Sequence, residues 1–142
     1  NNIGDEGCRT IAPALRTMTN LKELYLSENN IGEEGCRTIA PALRTMTNLE
    51  SLGLYNNNIG DDSFAILCSR VLPEISLEIL HLYGNKIGNV GCQSLLELFN
   101  NGSLRSLIAF GLRSNPNISS ELKEVFKRDW KAKGKNPDLL VI

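Results

Sequence analysis

The sequence predicts an α/β solenoid, a single domain in which short strands and helices alternate and each strand–helix unit stacks on the next. Three observations predict it. First, residues 1–20 and 29–48 are the same twenty letters except that Asp5 becomes Glu33. Second, the pattern keeps its phase: Asn29, Asn57 and Asn85 lie 28 apart, as do Ile3, Ile31, Ile59 and Ile87 and the glycines Gly4, Gly32, Gly60 and Gly88. Third, an L-x-x-L-x-L-x-x-N frame precedes each of those asparagines: Leu21, Leu24, Leu26, Asn29; Leu49, Leu52, Leu54, Asn57; and Leu77, Leu80, Leu82, Asn85. A fourth frame, Leu107, Phe110, Leu112 and Asn115, arrives two residues late, after "NNGSLRSL". Self-similarity at a fixed period of this length marks a stacked repeat, not a duplicated active site.

Each element follows from local physics. In L-x-L the apolar residues alternate, so the segment reads as a strand with one face on the core. The asparagine that follows can bond to backbone groups and turn the chain without a ladder. In "IGDEGCRTIAPALRTM", Ile11, Leu15 and Met18 recur at helical spacing and are expected on the buried face of a helix. The adjacent acids Asp5–Glu6, Glu33–Glu34 and Asp61–Asp62 fall at helix starts, where they complement the positive end of the helix dipole. Pro13 and Pro41 fall inside these helices and predict either a kink or a helix closed off before the proline. The third helix diverges, with Phe64 in place of a cysteine, yet stays amphipathic through Phe64, Leu67, Val71 and Leu72. A strand and a helix cannot bury their apolar faces alone, so such units must stack.

With these residues on the page, the chain resembles leucine-rich repeat proteins of the ribonuclease-inhibitor-like class, whose 28-residue units read L-x-x-L-x-L-x-x-N-x-I-G-x-x-G-C-x-x-I/L. The resemblance runs through essentially the whole chain. It implies a right-handed, horseshoe-like solenoid with parallel β-strands on the concave face and α-helices on the convex face. The expected units are residues 1–28, 29–56, 57–84 and 85–114, followed by a C-terminal capping unit, 115–142. In that last unit Ser119 or Ser120 is positioned to cap a helix carrying Leu122, Val125, Phe126 and Trp130. Gly134 ends it, and "DLLVI" reads as an edge strand. Trp130, the sole tryptophan, is placed to cover the final core layer. The pattern is entered mid-unit at residue 1, so a truncated N-terminus is expected.

Composition and motifs narrow the chemistry. Fifteen basic and sixteen acidic residues leave a net charge of −1, which exerts no global pull on nucleic acid or an anionic membrane. Lysines and arginine at 123, 127, 128, 131, 133 and 135 cluster near the end, but Glu121, Glu124 and Asp129 dilute them into an ordinary solvated helix. Cys8, Cys36 and Cys92 share one phase of the repeat, and neighbouring helices pack about 8–10 Å apart, beyond disulfide reach. No C-x-x-C spacing suggests a metal, so the cysteines read as small buried apolar residues. Unpaired thiols favour a reducing, cytoplasmic location, with secretion into a host cell as an alternative. His81, the single histidine, has glycines as strand neighbours and no nucleophile beside it. The expectation is no catalytic group, metal or cofactor, and no small-molecule substrate.

What remains is the strand face turned away from the core. Its residues are Glu23, Tyr25, Ser27 and Glu28; Ser51, Gly53, Tyr55 and Asn56; Ile79, His81 and Tyr83; then Ala109, Gly111 and Arg113. All three tyrosines fall here, and tyrosine and arginine are the residues that anchor interfaces. Apart from Asp5/Glu33, the first two units differ only at positions 22/50, 23/51, 25/53, 27/55 and 28/56, all in the strand segment. A constant scaffold with changing exposed letters predicts a protein–protein interaction surface made by Glu23, Tyr25, Ser27, Ser51, Tyr55, Ile79, His81, Tyr83 and Arg113. The alternatives are the repeat portion of a GTPase-activating or ubiquitin-ligase-associated regulator, a bacterial effector that engages a host or bacterial protein, and a plain spacer.

Overall fold

A computed structural model describes residues 1–142. Five helices alternate with five short strands: α1 (Gly4–Leu15), β1 (Glu23–Tyr25), α2 (Glu33–Leu43), β2 (Ser51–Gly53), α3 (Asp61–Arg70), β3 (Ile79–His81), α4 (Asn89–Asn100), β4 (Ala109–Gly111), α5 (Ser120–Ala132) and β5 (Leu140–Val141). The strands form one parallel sheet in chain order, β1 to β5. Leu24, Leu52, Leu80 and Phe110 pair in register, so the late fourth frame rejoins the same column. The chain is thus an α/β repeat solenoid, strands on its concave side and helices on the other.

The second and third leucines of each frame, and the isoleucine after each asparagine, build the core. Leu52, Leu54, Leu80, Leu82, Ile31, Ile59 and Ile87 are all buried. From the helices come Ile39, Leu43, Phe64, Leu67, Leu95 and Phe99. Met18 corrects the expectation from helical spacing. It is 46 % exposed at the open end of residues 1–142, whereas its counterpart Met46 is fully buried beneath the unit before it. Ile11 is only partly buried for the same reason. The prolines do not close the helices off: α1 and α2 each continue two residues beyond Pro13 and Pro41. In this last turn the missing amide costs one hydrogen bond. The carbonyls of Ala14 and Ala42 accept the hydroxyls of Thr17 and Thr45 at 2.8 and 2.7 Å.

The asparagines bond across units as well as within them. Asn57 Oδ1 accepts the amides of Asn29 and Ile31 at 3.1 and 2.9 Å, and its Nδ2 donates to the carbonyls of Leu26 and Leu54, both at 3.0 Å. Asn85 and Asn115 repeat this, with Nδ2 reaching Leu54 and Leu82 in one case and Leu82 and Leu112 in the other. All four frame asparagines are buried.

The first acid of each unit also serves the next unit, which own-helix dipole complementation did not anticipate. Asp5 Oδ1 accepts the amides of Gly32 and Gly35 at 2.8 and 2.9 Å, capping α2 from α1. Asp61 Oδ1 does the same for Gly88 and Gly91 of α4, at 2.7 and 2.9 Å. Asn89 Oδ1 accepts from the Ser119 amide before α5 at 2.8 Å. A Cβ on Gly35 or Gly91 would stand 2.5 or 2.7 Å from the capping carboxylate, so a side chain there would push the cap out of place. The exception is the one letter that differs between the twenty-residue copies. Glu33 turns to Arg37 at 2.7 Å, and the glycine position opposite it is the buried Ser63. Helix α3 therefore receives no cross-unit carboxylate cap of the kind Asp5 and Asp61 supply to α2 and α4.

At the far end, Phe126 and Trp130 of α5 lie fully buried, with Trp130 stacked on Phe99 at 5.2 Å and Phe126 beside Phe110 at 5.5 Å. The indole Nε1 donates to the Asn136 carbonyl at 2.8 Å, tying the chain after α5 to the helix. Ser119 Oγ accepts the Leu122 amide, and Gly134, at φ +70°, ends the helix.

Two stability measurements check this reading. Asp5→Ala and Asp61→Ala should each lower the unfolding free energy by about 1 kcal/mol in a urea titration, and Glu33→Ala by clearly less. Trp130→Ala should cost about 3–5 kcal/mol by the same titration, since it removes a buried ring and its hydrogen bond; a loss below 1 kcal/mol would contradict its role as the closing core residue.

Candidate binding face

Register fixes three columns on the helix-free face of the sheet. Glu23, Ser51, Ile79 and Ala109 form one, and Tyr25, Gly53, His81 and Gly111 the next. The residues two further on, Ser27, Tyr55, Tyr83 and Arg113, form the third. Aromatic contacts tie the last two columns together. Tyr55 and Tyr83 stack with centroids 4.4 Å apart and planes within 12°. His81 meets Tyr83 edge-on at 5.9 Å.

Glycines let these rings lie down on the sheet. A Cβ on Gly53 would stand 2.5 Å from Tyr25 Cδ1, so the Tyr25 ring crosses the bare backbone of the next strand. Its hydroxyl then reaches Ser51 Oγ at 3.1 Å. This corrects one expected site residue. Ser51 is 4 % exposed and presents nothing to a partner, because Tyr25 covers it. Ser27 Oγ is also buried, without a hydrogen-bond partner. Tyr25 itself is 55 % exposed. Glu28 and Asn56 prove to be turn residues at φ +60° and +51°, just past the strands.

Toward the C-terminal end the face deepens into a groove of about 290 Å³, lined by His81, Tyr83, Ala109, Phe110, Gly111, Arg113, Asp138, Leu139 and Val141. The sequence reading had His81, Tyr83 and Arg113 and missed Asp138, Leu139 and Val141. Those three sit in the turn and strand after α5, outside any leucine frame. A signal existed: in "DLLVI" period-2 alternation sets Leu139 and Val141 on the side opposite Leu140 and Ile142. Arg113 takes part in none of the ion pairs of the molecule, whereas Lys22 is held by Glu50 at 2.7 Å on the sheet rim.

Partial burial holds the His81 imidazole below the ordinary value of 6.5, so it is neutral near pH 7. The four thiols are free and buried. Burial pushes Cys8 and Cys92 up to about 11 and Cys36 and Cys68 up to about 12, so none is a ready nucleophile.

A family model described as Leucine Rich repeat matches residues 1–12, 17–40 and 75–96. Among the solved structures that match the fold is one titled Leiomodin-1 Actin-Binding Site 2 (ABS2), with a TM-score of 0.69 and 15 % identity. The match covers 94 % of this chain and 79 % of that one. No curated protein matches by sequence.

One titration checks the histidine environment. The His81 ring, followed by NMR, should show a midpoint below 6.5. Because its folded value is depressed, the unfolded chain binds the extra proton first, so stability should fall as pH drops through 6.5 and continue falling to the folded midpoint. The same pH profile in His81→Asn should lose that component.

Proposed function

We propose that the chain, whose repeats match the leucine-rich repeat family model over residues 1–12, 17–40 and 75–96, is a non-enzymatic repeat module that binds a protein partner on its strand face. The observation that carries the reading is the stacked Tyr55–Tyr83 pair with His81 against its edge, set on the helix-free face where the core does not need it. Rigid, half-exposed aromatic rings supply contact area at low ordering cost, and such side chains dominate binding energy at interfaces. Glu23, Tyr25, Ile79 and Arg113 extend the surface around them; Ser51 supports Tyr25 from beneath. The 28-residue spacing favours the ribonuclease-inhibitor-like class within the family. Four free thiols, all buried, suit a reducing compartment such as the cytoplasm.

The test is affinity capture with the intact chain, identification of the captured protein, and calorimetry on the purified pair. Actin is one protein to include, on fold likeness to the leiomodin segment alone. Tyr55→Ala combined with Tyr83→Ala should keep the fold and weaken binding by about 2 kcal/mol or more. Unchanged affinity would overturn the strand-face reading.

A further inference from the structure

We propose that the groove between β3, β4 and the last turn is an anchor pocket for one bulky apolar side chain of the partner, carried on an extended segment that also sets a carboxylate against Arg113. This rests on the strand face being the binding face and adds the chemistry of what it receives.

Size is the first argument. Clefts that hold cofactors or drug-sized ligands run from about 300 to 1,000 Å³. A groove of about 290 Å³ lies just under that range and suits a single large side chain. Its lining is the second. The floor is Ala109 and Gly111, and the flanks are Leu139 and Val141, which are 42 % and 45 % exposed. Side chains of this kind stay wet unless something covers them, and covering them is the main favourable term in association. The walls are also preformed: Tyr83 is held by Tyr55 on one side and touched by His81 on another, so little ordering is needed when a ligand enters.

Charge supplies the third argument and gives the occupant a direction. Arg113 lines the groove with its guanidinium unpaired, although Asp138 lines the same groove, and the two make no ion pair. A guanidinium offers a planar fork that fits a carboxylate. Asp138 repels an acid on its own side, so the partner's carboxylate belongs only at the Arg113 side. The neutral His81 wall adds no competing charge. In an extended segment, residues two apart share one face. The occupant is therefore an extended stretch of protein with an aromatic or long aliphatic residue and an acidic residue two positions away.

The test uses the full chain and nine-residue, end-blocked synthetic peptides in a Ser/Thr/Asn background, with central Phe and Asp two positions on. Controls carry Phe→Ala or Asp→Lys. Amide shifts in two-dimensional NMR report the site and affinity. The Phe/Asp peptide should shift Ala109, Gly111 and Val141, and either change in it should weaken binding on the order of tenfold. Arg113→Glu should reverse the preference between the Asp and Lys peptides, a readout that a misfolded variant could not give. Ala109→Leu, which fills the groove, should abolish binding while the melting temperature holds. Strand-face shifts that are indifferent to Phe, Asp and Arg113 would overturn this inference and leave the strand-face reading intact. Shifts confined to the helices would overturn both. Absence of binding by any peptide at millimolar concentration would overturn the inference alone, because the captured partner tests the face separately.

Discussion

Strands of two or three residues form too few ladder bonds to hold a sheet together, and in this chain buried asparagine amides make up the shortfall. Each Nδ2 of Asn57, Asn85 and Asn115 donates to two carbonyls, one in its own frame and one in the preceding frame. Each Oδ1 accepts an amide from the unit before. A buried backbone group left without a partner costs about 1–3 kcal/mol, so a side chain that satisfies three at once is worth more than any single apolar contact nearby. It also fixes register, because an amide group of this size reaches those groups at one offset only. The paired column of Leu24, Leu52, Leu80 and Phe110 follows from that constraint, and the two-residue delay before β4 is absorbed in the turn after α4 without disturbing it.

With the inner side fixed this way, the outer side of the sheet is free of structural duty, and its side chains answer to each other instead. Bare glycine backbone at position 53 lets Tyr25 lie flat, and stacking fixes the tilt of Tyr55 and Tyr83. The resulting face is uneven along the array. Glu23 and Tyr25 stand at one end, a tyrosine stack fills the middle, and a groove with one unpaired arginine closes the other. Such unevenness is what allows a stacked scaffold to tell one partner from another.

The period and the core columns were legible in the sequence because each rests on a spacing that local physics enforces, whereas the parallel arrangement of the strands was implied by the family resemblance those residues carry. The turn role of asparagine was legible too, though not its reach into the unit before. Met18 was misplaced because helical spacing identifies a face, not whether anything lies against it; Met46 has the same letters around it and the opposite exposure. Ser51 was misplaced because its cover arrives from Tyr25, on the preceding strand, through a ring orientation that no pattern along one strand encodes. Asp138, Leu139 and Val141 escaped notice as site residues because they come from a segment without the leucine frame and join the groove only by folding back. The cross-unit role of Asp5 and Asp61 was hidden for another reason. Their partners are backbone amides 27 and 30 residues away, which carry no side-chain identity to read.

That last feature bears on how such arrays can be cut and joined. An aspartate in one helix is matched to a side-chain-free position 30 residues downstream, Asp5 to Gly35 and Asp61 to Gly91, while Glu33 is matched to Ser63. The block that travels intact is therefore longer than the 28-residue period and straddles any boundary drawn at a strand. A splice that respects the period but divides the pair would set an aspartate against a serine or leave a glycine uncapped. Grafting, shortening or lengthening this array calls for junctions placed outside each matched pair, so the unit of exchange is offset from the unit seen in the fold.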